Sequence, residues 1–265
     1  MGNVGIKGTA YCLNFAPELA LHYGGTPAQE RRAKPDSEYL KALPGRAQSY
    51  EEAAGYAPNK TYIGAMSVEE LAAAPAPWLE NLGAPERYGK YGEIMPEDEF
   101  LGFMDICDVF DLIWLDKDFA ARIKEKLAQD PVVGESQLAR LEAGHEAAEI
   151  AEAVEKHMAL PLYLDGRVVG CCRRAHDTDE NLSAHVMLEN LACKTSGVLA
   201  LLHLIKNSGL APSEIDFVVE CSEEAVGDVM QRGGGNLAKA VAEIAGCGNA
   251  SGFDVRGFCA GPAAA

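Results

Sequence analysis

Basic residues are scarce in this chain: 23 Lys and Arg stand against 40 Asp and Glu in 265 residues, a net charge of −17. That field repels a phosphate backbone unless basic side chains cluster somewhere, and the sequence shows no such cluster. Nucleic acid and anionic membrane surfaces are therefore excluded as expected partners. Long apolar runs are lacking too. The longest, Val198–Ile205, is interrupted by His203 and falls far short of the ~20 residues a membrane span needs. No basic segment followed by an apolar one stands after Met1, so no secretory signal is read. Eight cysteines are present without a Cys-x-x-Cys pair, and most sit in apolar segments. They read as reduced, mainly structural thiols of a cytoplasmic protein, and no metal or cofactor site is predicted.

What is present is the makeup of a packed globular chain, with 48% apolar and 24% charged residues. The length allows one large domain or two small ones. Nine of the thirteen prolines fall between Pro17 and Pro96, which rules out long regular elements there, since each proline removes a donor and restricts its predecessor. Short helices are expected instead, two of them opened by the capping boxes Ser49-x-x-Glu52 and Ser67-x-x-Glu70. A strand is expected over residues 4–13. Pro96-Glu97-Asp98-Glu99 opens a helix whose apolar residues keep helical spacing from Phe100 to Ile113 or Trp114. Further helices are expected over 117–128 and, as one piece, over 136–158.

Beyond Pro161 the pattern changes. Asp165-Gly166 between Leu162-Tyr163-Leu164 and Arg167-Val168-Val169 is a hairpin signal. Asp177 or Thr178 is expected to cap a long buried helix that Ser208-Gly209 stops. Ile215–Val219 reads as a short buried strand, 236–245 as a helix and Phe253-Asp254-Val255 as another strand. This alternation predicts an α/β layered core.

Cys259 is the leading candidate for chemistry. It follows a strand and precedes an Ala-rich helix start, where the positive end of the backbone dipole favours the thiolate. Gly257, Ala260 and Gly261 leave room for a substrate. The competing reading is a small buried thiol. Cys221, at the C-terminal end of the 215–220 strand, stands where α/β folds bind ligands and ranks second as a site neighbour, with a buried structural thiol as the preferred reading. Cys171 and Cys172 are neighbours in a strand and cannot both face one site. His145-Glu146-x-x-Glu149, with Glu152 and His157, lacks the spacing of a metal-binding helix and reads as a solvated acidic face. His185 and His203 are expected as hydrogen-bonded core histidines. Gly233-Gly234-Gly235-Asn236 lacks the residues of a P-loop and reads as a flexible turn.

Two stretches, 208–219 and Gly252-Phe253-Asp254-Val255-x-Gly257-Phe258-Cys259-Ala260-Gly261, resemble the N-terminal half of thiolase-like condensing enzymes, in which the cysteine so placed carries an acyl thioester. Longer stretches resemble the β subunit of component C of glycine/sarcosine/betaine reductase complexes: 34–40, 87–100, Glu220-Cys221-Ser222-Glu223-Glu224-Ala225 and 231–236. The resemblance implies the N-terminal half of a thiolase-like layered α/β fold. Residues 1–15 and 160–265 would form that half, with a mainly helical, Pro-rich insertion over 16–159. It also implies acetyl-thioester chemistry that converts a selenoprotein-bound carboxymethyl group to acetyl phosphate, with Cys259 as the acyl acceptor. The implied partners are the α subunit of component C, the selenoprotein, and phosphate or an acetyl thioester. The alternatives are a non-catalytic scaffold that docks those subunits, and a ketoacyl-synthase-type acyltransferase.

In a thiolase-like fold the groups that activate the cysteine come from a second, similar half, and this sequence continues for only six residues after Cys259. The expectation is thus an N-terminal portion, inactive alone, with an exposed apolar face and a tendency to dimerise.

Overall fold

The computed structural model describes residues 5–222, 237–257 and 260–265. Strand β1 (Tyr11–Asn14) leads into six short helices: α1 (Pro17–Tyr23), α2 (Gly25–Ala33), α3 (Glu38–Ala42), α4 (Tyr50–Gly55), α5 (Ala57–Ile63) and α6 (Val68–Ala73). Both expected capping boxes are formed: Ser49 caps α4 with Glu52, and Ser67 caps α6 with Glu70. The chain then returns as β2 (Gly92–Met95), which pairs parallel to β1 with Tyr11 opposite Gly92. A β-carbon on Gly92 would stand 1.6 Å from the Tyr11 carbonyl oxygen, so only glycine permits this approach. The strand expected from residue 4 begins at Tyr11, and residues 5–10 join no ladder.

Helix α7 (Glu97–Cys107) starts where the Pro-acid signal places it but stops well before Trp114. Asp108 ends it. Its carboxylate accepts hydrogen bonds from the backbone N–H groups of Phe110 and Ile113, at 2.9 and 2.8 Å, and competes with the helical pattern. Residues Ile113–Leu115 form β3 instead, at the edge of an antiparallel sheet of order β3-β5-β4. Strands β4 (Ala159–Leu164) and β5 (Arg167–Arg173) are joined at Asp165-Gly166, whose φ angles of 50° and 70° are those of the expected tight turn. Helix α8 (Lys117–Leu127) matches its expectation.

The single helix expected over 136–158 is two pieces, α9 (Glu135–Leu138) and α10 (Ala147–Glu155). Gly144, at φ 81°, breaks it, and His145 is drawn into strand-like bonds with Leu115 and Lys117. The long helix α11 (Ala184–Ser208) starts later than Asp177 because His176 and Asp179 spend their side chains on a preceding turn. Gly209, at φ 69°, stops it as expected. By length and composition α11 is apolar enough to cross a membrane, yet its buried residues, including Leu191, Val198, Leu199 and Leu202, are part of the core.

Strand β6 (Phe217–Ser222), helix α12 (Leu237–Ile244), strand β7 (Ser251–Arg256) and helix α13 (Gly261–Ala264) complete the described chain. The fold is α/β, as expected. The main core gathers Phe103 and Met104 of α7, Ile123 and Leu127 of α8, the α11 residues and Val241 of α12, so it draws on both sides of position 160. Strand β6, expected to be buried, is only partly so among the described residues: Phe217 forms an edge-to-face pair with Phe253 of β7, centroids 5.5 Å apart and each 51% exposed.

Candidate functional site

Strands β6 and β7 run parallel in register, with Val219 opposite Phe253 and Cys221 opposite Val255. Three local features fix this end of the sheet. Gly252 lets the strands approach, since a β-carbon there would lie 2.1 Å from the Val218 oxygen. The Asp254 carboxylate accepts the backbone N–H groups of Leu237 and Ala238, at 2.9 and 2.8 Å, and so anchors the first turn of α12 beside β7. Beyond β7 the chain passes Gly257 and re-enters helix at α13.

Cys221 meets that turn directly. A β-carbon on Gly261 would stand 3.4 Å from its sulfur, so the thiol lies against the backbone that opens α13. The carboxyl end of a parallel pair is where α/β folds place their ligands, and Cys221, Gly257, Ala260 and Gly261 converge there. Cys259, the leading sequence candidate, and the Gly233–Asn236 turn lie outside the described residues.

Five other cysteines are poor nucleophiles for a physical reason. Burial pushes the thiols of Cys107 and Cys171 up to about 12 and about 11, and raises those of Cys12, Cys172 and Cys247, so each stays protonated at neutral pH. Cys171 and Cys172 point to opposite faces of β5, into separate clusters, as strand geometry requires.

The histidines divide. His203 is a hydrogen-bonded core residue, with Nε2 2.8 Å from Glu93 Oε1. His185 is not; it lies 37% exposed beside Glu189. His145 stacks on Trp114 at 4.2 Å, and its Nε2 lies 3.8 Å from Asp111 and 4.0 Å from Glu142. Of the His145-Glu146-Glu149 pattern, read from sequence as a solvated face, Glu149 lies 3.9 Å from Nδ1, while Asp111 and Glu142 stand outside the pattern. The three donors suit a divalent cation in type, but both acids are about half exposed and Arg173 approaches Asp111 at 3.6 Å.

A second group escaped the sequence reading altogether. Arg87 bonds three carboxylates: Glu93 at 2.9 Å, Glu99 through both oxygens at 2.8 and 2.7 Å, and Asp130 at 2.9 Å. The one available signal was Glu93 itself, an acid next to Ile94 and Met95 in a wholly buried strand.

No family model matches the chain. Over 97% of its length it is 51% identical to the protein named "Glycine/sarcosine/betaine reductase complex component C subunit beta" of Peptoclostridium acidaminophilum. The chain spans half of that protein. Among solved structures, the priming beta-ketosynthase from the R1128 polyketide biosynthetic pathway is similar over 26% of this chain and 19% of its own. The two share 31% identity there, with a TM-score of 0.22.

Proposed function

We propose that the chain serves as a component C β subunit, or part of one, in a glycine/sarcosine/betaine reductase complex, and that its chemistry is acetyl transfer through a thioester. The observation that carries this reading is the 51% identity sustained over 97% of the chain. In this reading Cys259 carries the acetyl group as a thioester. A phosphate oxygen then attacks the thioester carbonyl, the C–S bond breaks, the cysteine leaves as thiolate and acetyl phosphate is released. Its partners would be the component C α subunit and the selenoprotein that delivers the carboxymethyl group. The general base and oxyanion donors would come from beyond this chain's described residues.

The test uses the assembled complex loaded with isotopically heavy acetyl phosphate, followed by mapping of acetylated peptides. Heavy acetyl on Cys259, together with loss of acetyl phosphate formation in the Cys259→Ser complex, is expected. An unlabelled Cys259 beside a labelled cysteine on another subunit would make this chain a scaffold.

A further inference from the structure

The Arg87 network is unbalanced in charge. Glu93, Glu99 and Asp130 surround one guanidinium, and the described residues place no other arginine or lysine on them. Three negative charges on one positive leave two uncompensated. Depth makes the imbalance worse: the carboxylate side chains are 0 to 5% exposed while Arg87, the cation, is 22% exposed. Buried charges left unpaired are costly, and a protein ordinarily meets that cost by holding a proton. Among the described residues, the titratable base that reaches the cluster is His203, 3% exposed, on the second oxygen of Glu93.

We propose that this network is a proton-linked latch that ties α11 to the β1–β2 pair: in the folded chain it retains near neutral pH one proton more than the same side chains hold when separated. Glu93, Glu99 and Asp130 all bond Arg87, and His203 bonds Glu93, so the proton belongs to the network as a unit. Its members come from four places: Arg87 and Glu93 in and before β2, Glu99 in α7, Asp130 after α8, and His203 in α11.

The remaining titratable groups that face it add no charge. Cys12 from β1 has its thiol pushed up by burial and by Glu93 and Asp130. The Tyr50 hydroxyl from α4 donates to the Ile94 carbonyl, and burial pushes it up to about 12. Tyr88 donates to Asp130 at 3.3 Å. Burial first, then Glu93, also raises the Asp130 carboxyl above its ordinary range, with Arg87 opposing. A group held protonated in the folded state stabilises it below its unfolded-state pKa and loses that contribution as pH rises through the folded value. Between neutrality and the ordinary carboxylate range, falling pH therefore tightens this latch and rising pH loosens it; stronger acid protonates the remaining carboxylates and breaks their ion pairs with Arg87.

The direct test is a side-chain NMR titration of the intact chain, following the carboxyl carbons of Glu93, Glu99 and Asp130 and the ring nitrogens of His203. At pH 7.5 either one of the three is expected to read as a carboxylic acid or His203 as imidazolium. Three ionised carboxylates beside a neutral imidazole would overturn the proposal. A second measurement compares proton uptake on refolding at pH 7.5, by calorimetry in buffers of different ionisation heat. Glu99→Gln removes one negative charge and should lower uptake by up to one proton, whereas unchanged uptake would count against the latch. Where Glu99→Gln does not fold, the wild-type titration decides alone.

Discussion

Glu97 does for α1 what no local residue can. Ala16 precedes that helix and offers no side-chain acceptor, so the first two free N–H groups, of Glu18 and Leu19, bond instead to Glu97, 3.1 and 2.9 Å away across the fold. The carboxylate is 5% exposed. Burial pushes it up to about 7, against the pull of the two N–H groups, and Glu18 and Asp165 add repulsion. Since the ordinary value is 4.5, the folded chain prefers the protonated form across that interval. The folded pKa is raised, so its contribution is complete below about pH 4.5 and is lost as pH climbs to about 7. One pKa unit is worth about 1.4 kcal/mol, which bounds the effect at roughly 3 kcal/mol.

Glu97→Gln keeps one carbonyl acceptor for α1 and removes the titration. Urea unfolding of both chains at pH 5, 6, 7 and 8 should show the variant weaker by about 1 kcal/mol at pH 5, where it has lost only a hydrogen bond. The difference should shrink or reverse by pH 8, where the wild type carries a buried charge. Asp105, raised to about 7 by burial and by neighbouring acids, contributes its own slope to both chains and cancels in the comparison. Stability curves that run parallel from pH 5 to 8 would refute the reasoning.

Phe103→Ala empties a fully buried position in α7 and should cost about 3–5 kcal/mol in urea unfolding. Gly92→Ala forces a β-carbon onto the Tyr11 carbonyl and should open the β1–β2 ladder, read as faster amide exchange at Tyr11 and Phe15, whose N–H groups donate to the Tyr91 and Met95 carbonyls. Alkylation at pH 8 should spare Cys107, Cys171 and Cys172 in the native chain, all fully buried, and reach them only after unfolding. Their modification at the rate of a free thiol would contradict the core described here.

Sequence read well wherever one residue's chemistry decides a local outcome. Ser49 with Glu52 specifies a helix start, Asp165-Gly166 a turn, and Ser208-Gly209 a stop, because each pairs a side chain or a φ preference with a backbone group a few positions away. It read poorly where a distant partner decides. In sequence Asp108 is one more polar residue on a periodic helix, yet its carboxylate rebuilds the next five residues into a turn and a strand. Helical spacing through 136–158 is real, yet Gly144 yields to the strand-like bonds that His145 makes with Leu115 and Lys117. At the candidate site, the strand–loop–helix order around Cys259 was legible as a pattern. That Cys221 lies against the backbone opening α13 needed three dimensions, because 40 residues of chain separate them.

The charged network illustrates the limit best. Arg87, Glu93 and Glu99 lie within a stretch whose likeness to a known family was plain from the letters, while their energetic meaning was not. A Glu in a sequence reads as a surface residue, the usual place for one. It becomes a structural element here only because β2 is buried along its whole length, paired with β1 and packed on α5, so that its Glu93 can find no water and must take Arg87 and His203 instead. Replacing the whole set by apolar residues of similar volume could leave stability unchanged or raise it, whereas removing Arg87 alone would strand three buried carboxylates. Arg87→Met should therefore be far more damaging than Arg87→Met combined with Glu93→Gln, Glu99→Gln and Asp130→Asn. If the single and the combined variants unfold at the same urea concentration, the carboxylates are not buried charges in the folded chain, and the latch has no basis.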